Sequence, residues 1–163
     1  MSNPQRGAVE FRAVRKNYGA FTAVPDLNLK IEPGQLVTLL GPSGCGKTTT
    51  MRMIGGTSLR TSGSLRVLGL DPEENGPLVR ASLGVVPQQD SLDEELRARD
   101  NLIVYGRYFG LPKAYLTKKA DELLEFAQLT DKAKEKVSAL SGGMKRRLTI
   151  ARGLVNEPRI LLL

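Results

Sequence analysis

Residues 41–48 read Gly41-Pro42-Ser43-Gly44-Cys45-Gly46-Lys47-Thr48, with Thr49 next. This fits G-x-x-x-x-G-K-[ST], a loop whose small residues let backbone N–H groups converge on phosphate oxygens. A helix starting near Gly46 would aim the positive end of its dipole at the same anion. In this chemistry Lys47 reaches the β- and γ-phosphates of a nucleoside triphosphate, and the Thr48 hydroxyl is a Mg²⁺ ligand. Cys45 fits the loop as a small filler. Its place at a helix start leaves a lowered thiol pKa open.

A second helix start lies at Ser141-Gly142-Gly143-Met144. Ser141 suits an N-cap, and the two glycines leave their N–H groups unshielded. Met144, Leu148, Ala151 and Val155 recur at helical spacing and form one apolar face. Taken alone, Ser-Gly-Gly reads equally as a plain turn and cap. Behind the first motif it reads as a second anion-facing helix end.

These two sites need elements to hold them. Ala8 to Val14 alternates, with Val9, Phe11 and Ala13 against Glu10 and Arg12, and reads as an edge strand. Leu27 to Ile31 alternates likewise, and Pro33-Gly34 marks a turn. Gln35 to Leu40 is continuously apolar, which predicts a strand covered on both faces just before the phosphate loop. A helix is predicted from Gly46 to Ile54. Short strands are predicted at Leu65–Leu68 and Gly84–Val86. Helical periodicity then takes over, through Leu102, Ile103, Tyr105 and Phe109, then Leu116, Ala120, Leu123, Leu124 and Ala127. Roughly Ala98 to Val137 therefore reads as a helical insertion in an α/β domain. A last helix opens at Ser141, and Arg159 to Leu163 begins a buried strand.

The 163 residues suffice for one domain with a core. No apolar run approaches the roughly 20 residues needed to cross a bilayer. Met1 to Arg6 is short and polar, with no signal-peptide core behind it. One cysteine excludes an internal disulfide and fits a reducing compartment. The sequence has no histidine, which excludes His-based catalysis within it. The net charge of +7 allows nucleic acid, anionic lipid or a polyphosphate as partner. It also fits a piece whose compensating acids lie elsewhere.

The run Leu140-Ser-Gly-Gly-Met-Lys-Arg-Arg-Leu-Thr-Ile-Ala-Arg-Gly-Leu154 resembles the signature of ABC transport ATPases, and with Gly41–Thr48 as the Walker A motif the resemblance spans about Val9 to Leu163. It implies an α/β P-loop NTPase fold with an antiparallel β subdomain at the N-terminus and an inserted α-helical subdomain. The expected division is 1–97 and 138–163 as catalytic core, with 98–137 as the helical subdomain. The implied ligands are ATP and Mg²⁺, held by Gly41, Pro42, Ser43, Gly44, Cys45, Gly46, Lys47, Thr48 and Thr49. Tyr18, 23 residues before Gly41, is similar to the aromatic residue that stacks on adenine. Gln88, in Val85-Val86-Pro87-Gln88-Gln89-Asp90, is similar to the family's Q-loop glutamine, which ligates Mg²⁺ or positions water; Gln89 is the alternative. The resemblance further implies a head-to-tail dimer, in which ATP at Lys47 of one protomer is covered by Ser141, Gly142 and Gly143 of the other. On this reading Lys47, Gln88 and Ser141 are the catalytic set.

The segment Gln89 to Leu102, Met144 and Lys145-Arg146-Arg147 resemble one exporter subgroup, whose ATPases pair with a separate membrane-spanning permease. That implies a peripheral location on the cytoplasmic face of the plasma membrane, and no nucleic acid is expected. Asp93-Glu94-Glu95 fits either the permease-facing surface or a solvated loop. Ile160 to Leu163 looks like the start of Walker B. Its acids, the D-loop and the switch histidine do not follow, so the sequence is expected to be truncated there and not competent for hydrolysis as it stands. The rival readings are a soluble ABC translation or DNA-repair factor, an importer ATPase, and a non-hydrolysing nucleotide-binding regulator. The 53 residues from Gln88 to Ser141 hold no sustained heptads, which argues against the DNA-repair type.

Overall fold

The structure is a computed structural model and describes residues 8–89 and 91–163. Met1–Arg6 and Asp90, both used in the sequence reading, lie outside them. The chain divides into two compact units, Met1–Arg80 and Ala81–Leu163.

The first unit is built on β1 (Val9–Tyr18), β2 (Phe21–Ile31) and β3 (Ser62–Val67), with α1 (Lys47–Ile54), and α2 (Gly76–Ala81) runs up to its boundary. The three strands form an antiparallel sheet in the order β2-β1-β3. β1 is thus the middle strand, where the sequence reading made it an edge. Alternation reports which face of a strand is covered and carries no information about lateral neighbours. The alternation also breaks. Phe11 pairs with Leu29 and Val14 with Leu27, so β1 carries one extra residue there. Ala13 takes a positive φ of 49° in this bulge, and its N–H donates to Asn28 Oδ1 at 2.7 Å. A bulge moves every later side chain to the other face. Val14 is therefore buried with Val9 and Phe11, and Ala13 faces out.

The buried strand predicted over Gln35–Leu40 does not form. The segment joins no sheet among the described residues. Leu36 and Leu40 are 90% and 87% exposed. A strand is held by hydrogen bonds to neighbours, and an apolar run without a partner strand forms no ladder. A local clasp holds its start instead: Gln35 N–H donates to the Glu32 carbonyl at 3.2 Å, and Glu32 N–H donates to Gln35 Oε1 at 2.9 Å.

One ion pair braces this unit and was invisible in the sequence. Arg60 Nη1 and Nη2 donate to Asp71 Oδ1 and Oδ2 at 2.9 and 2.8 Å. The Asp71 side chain is 5% exposed and that of Arg60 18%. The Arg60 hydrogen bond holds the Asp71 carboxyl below its ordinary value. The folded-state pKa is thus the lower one, so this stabilisation is complete above the ordinary aspartate range. It fades as pH falls through the lowered value. In the full-length protein, Asp71→Asn should cost about 2 kcal/mol at neutral pH, because it removes the two-pronged charged partner of a largely buried guanidinium and leaves Glu73, at 3.5 Å, as its carboxylate. A thermal melt checks this. The difference should shrink in acid, and an unchanged Tm at neutral pH would refute the bracing role.

The second unit pairs β4 (Leu83–Val85) with β5 (Ile160–Leu162) in parallel. Its helices are α3 (Ala98–Arg107), α4 (Lys113–Phe126) and α5 (Gly142–Gly153). Apolar residues spaced three and four apart put Leu102 of α3, Leu116, Ala120, Leu123 and Leu124 of α4, and Leu148 and Ala151 of α5 into one buried core. Val155 completes the α5 stripe, and Met144 packs at its margin. The helical stretch 98–137 thus shares its core with α5. That core is what fixes the direction of the α5 N-terminus.

Candidate nucleotide-binding site

In the first unit the phosphate loop leads directly into α1. Gly46 is the N-cap, at φ 90°, and no side chain caps the helix. A Cβ on Gly46 would lie 2.6 Å from the Ala23 carbonyl of β2, so backbone packs where any other side chain would stand. A Cβ on Gly41 would lie 2.6 Å from Cys45 Sγ. The loop is closed this tightly because these two positions have no side chains. The first turn of α1 holds no acidic residue. Its amides and dipole therefore meet no competing negative charge.

Lys47 curls back into the loop. Its Nζ donates to the carbonyls of Gly41 and Pro42 at 2.6 and 2.9 Å and to Cys45 Sγ at 3.2 Å. The ammonium thus sits at the centre of the loop's curvature, bonded to neutral carbonyls that phosphate oxygens would outcompete. The hydrogen bond from Lys47 lowers the Cys45 thiol below its ordinary value. The cause is Lys47, where the sequence reading looked to the helix end.

Tyr18 belongs to the same unit, at the β1–β2 hairpin. Its hydroxyl lies 3.2 Å from Ser58 Oγ, and this bond lowers the phenol's pKa, with a smaller contribution from the Thr49 side chain. Tyr18 is thereby brought beside the first turn of α1. Lys16 Nζ stands 4.5 Å from the ring centroid, a cation–π contact that orients an otherwise half-exposed ring. Thr48 is exposed on α1.

The second unit carries Gln88 and the Ser141 helix end. Ser141 caps α5 as expected, its Oγ accepting from Met144 N–H at 3.3 Å. A Cβ on Gly142 or Gly143 would meet nothing within 4 Å, so the side-chain side of both glycines is open. Gln88 is exposed, three residues beyond β4.

Contacts around Gln88 and α5 were not foreseen. Lys145 pairs with Glu94 at 2.6 Å and Lys136 with Glu95 at 2.8 Å, so these acids are tied down within the unit. Arg146 donates to the Pro87 carbonyl at 2.7 Å and Arg147 to Gln128 Oε1 at 3.2 Å. All three cations after the signature are engaged with their own unit. Their partners are distant in sequence, so no local pattern could have announced them.

The donors present suit a triphosphate. An uncapped helix end, a loop with no room for a Cβ at Gly41 or Gly46 and an ammonium held within it together recognise clustered anionic oxygens. Among the described residues no group of three or more His, Cys, Asp or Glu could hold a metal. Thr48 offers a hydroxyl and Gln88 an amide oxygen, hard oxygen donors of the kind Mg²⁺ takes.

Residues 24–163 match the family model described as ABC transporter. The chain is 48% identical over 156 residues to a Nod factor export ATP-binding protein I of Paraburkholderia xenovorans, covering 96% of this chain and 51% of that protein. It is 45% identical over 156 residues to the protein of the same name from Rhizobium etli, covering 49% of it. The chain thus spans about half the length of the curated relatives it matches. Among solved structures it resembles an ATP-binding cassette described as dimeric and post-hydrolysis with ADP and Pi, at TM-score 0.78 and 32% identity, covering 94% of this chain and 72% of the other. It shares its fold with cbiO1 of Clostridium perfringens, part of the ABC transporter complex cbiONQ, at TM-score 0.85 and 24% identity, covering 94% and 63%.

Proposed function

The chain belongs to the ABC transporter family of ATP-binding domains, and from that premise we propose that it is the ATP-binding and ATP-hydrolysing part of an exporter, driving a separate membrane-spanning permease. The observation that carries this reading is the Lys47 ammonium held at the centre of a glycine loop, at an uncapped helix start.

On this reading Gly41–Thr49 cradle the phosphates, Lys47 neutralises them, and Tyr18 carries the adenine. Thr48 and Gln88 hold Mg²⁺, which supplies charge neutralisation at the phosphates. Ser141, Gly142 and Gly143 of a second copy cover the nucleotide in a head-to-tail dimer, giving two equivalent sites by symmetry. ATP holds the two copies together and its hydrolysis loosens them, a cycle that drives the permease between states. The subunit sits on the cytoplasmic face of the membrane, against its permease. Among the described residues no helix is long and apolar enough to span the bilayer itself. The test is co-expression of the full-length protein with its candidate permease. ATP-dependent export from inverted vesicles, lost without either component, is the expected result. Co-sedimentation with ribosomes in place of the membrane would overturn it.

Adenine stacking has its own test. Tyr18→Ala should weaken ATP binding by about 1–3 kcal/mol, the usual worth of a stacked base. Binding of tripolyphosphate, which has no base, should stay at the wild-type value, and Tyr18→Phe should retain ATP affinity. Equal losses for ATP and tripolyphosphate would place Tyr18 outside the base pocket.

A further inference from the structure

Arg146 lies in the second turn of α5, and its guanidinium donates to the carbonyl of Pro87 at 2.7 Å. That oxygen belongs to the peptide joining Pro87 to Gln88. Because the peptide is planar, holding its oxygen fixes the plane from which the Gln88 Cα departs. The preceding backbone is restrained as well. Val86 N–H donates to the Leu162 carbonyl at 2.8 Å, Val86 is buried, and the Pro87 ring fixes its own φ. Beyond Gln88, Arg152 of α5 is 8% exposed. It donates to the Ser91 carbonyl at 2.7 Å and to the Ser91 hydroxyl. Lys145 reaches Glu94 from the same helix.

Three cations of α5, Lys145, Arg146 and Arg152, thus grip the chain on both sides of Gln88. Of these, Arg146 acts on the Gln88 peptide itself. A bond from a charged guanidinium to a carbonyl is stronger and more directional than a neutral one. It is spent here on the peptide that leads into an exposed polar side chain, and α5 also bears Ser141 at its tip. From this we infer that Arg146 is the positioning residue for Gln88: it makes the Gln88 peptide and the Ser141 end of α5 move as one piece. The inference rests on the function proposed above, in which Gln88 serves Mg²⁺ or water at the nucleotide.

Steady-state hydrolysis by the full-length protein separates the possibilities. Arg146→Ala should lower kcat about 10-fold, the scale of a small misplacement of a reacting group, with KM for Mg²⁺-ATP little changed. Arg146→Lys, which still offers a charged donor, should recover most of the loss. Gln88→Ala should lower kcat too, and the Gln88→Ala/Arg146→Ala double variant should be no slower than Gln88→Ala alone, because one acts through the other. Wild-type kcat in Arg146→Ala overturns the inference. So does a double variant that loses the product of the two single effects, with a lowered Tm that lysine does not restore. If Gln88→Ala itself turns over like wild type, the proposed role of Gln88 fails, and the inference with it. That outcome is distinct from failure of Arg146 alone.

Discussion

Lys47→Ala is expected to cut ATP affinity by roughly 100-fold or more, since charge-assisted hydrogen bonds contribute about 1.5–3 kcal/mol each and an ammonium offers several. The folded protein should be almost indifferent to the change. Lys47 bonds to carbonyls and a thiol of its own loop, at 2.6, 2.9 and 3.2 Å, and braces no other element. Its removal frees acceptors that water can reach, which places it among surface substitutions worth within about 0.5 kcal/mol of stability. Titration calorimetry with ATP and a thermal melt of the full-length protein check both halves. Wild-type affinity in the variant would show that the loop does not hold the phosphates. Equal loss of affinity and of Tm would show that Lys47 supports the fold instead.

Ser141→Arg should leave ATP binding at Lys47 near wild type and bring turnover to background. The position is exposed, and space is open around the two following glycines. A long cation there should bar a second copy while leaving the first unit's own phosphate loop unaltered. Loss of the cap costs about 1 kcal/mol of helix stability. Ser141→Ala is therefore the control for bulk: it removes the cap and the hydroxyl without blocking the approach of a second copy, so it should still dimerise, with turnover lowered but above that of Ser141→Arg. Size-exclusion chromatography in Mg²⁺-ATP should show the dimer in wild type and Ser141→Ala and a monomer in Ser141→Arg. Normal hydrolysis by Ser141→Arg would end the shared-site reading.

Much of the site could be read in the sequence because its signals are local. A phosphate loop is defined by residues within one turn of the helix it opens. Ser141 caps an amide three residues away. The apolar stripes of α3, α4 and α5 are spacings along a single element, and the helices appear where those spacings put them. Tyr18 was singled out by its distance from Gly41, although its contacts to Ser58 and Lys16 emerged with the fold.

What the chain alone determined, then, is chemistry carried by neighbours in sequence: the glycine loop, the lysine, the serine cap and the helix faces. Tertiary structure decided everything that depends on a partner on another element. It put β1 in the middle of its sheet, sent Val14 inward through a bulge, and left Gln35–Leu40 unpaired. It also joined Arg60 to Asp71 and Arg146 to Pro87. The reason is physical. A helix closes its hydrogen bonds four residues on, whereas strand pairing and long-range ion pairs need groups that meet only after the chain has folded back on itself.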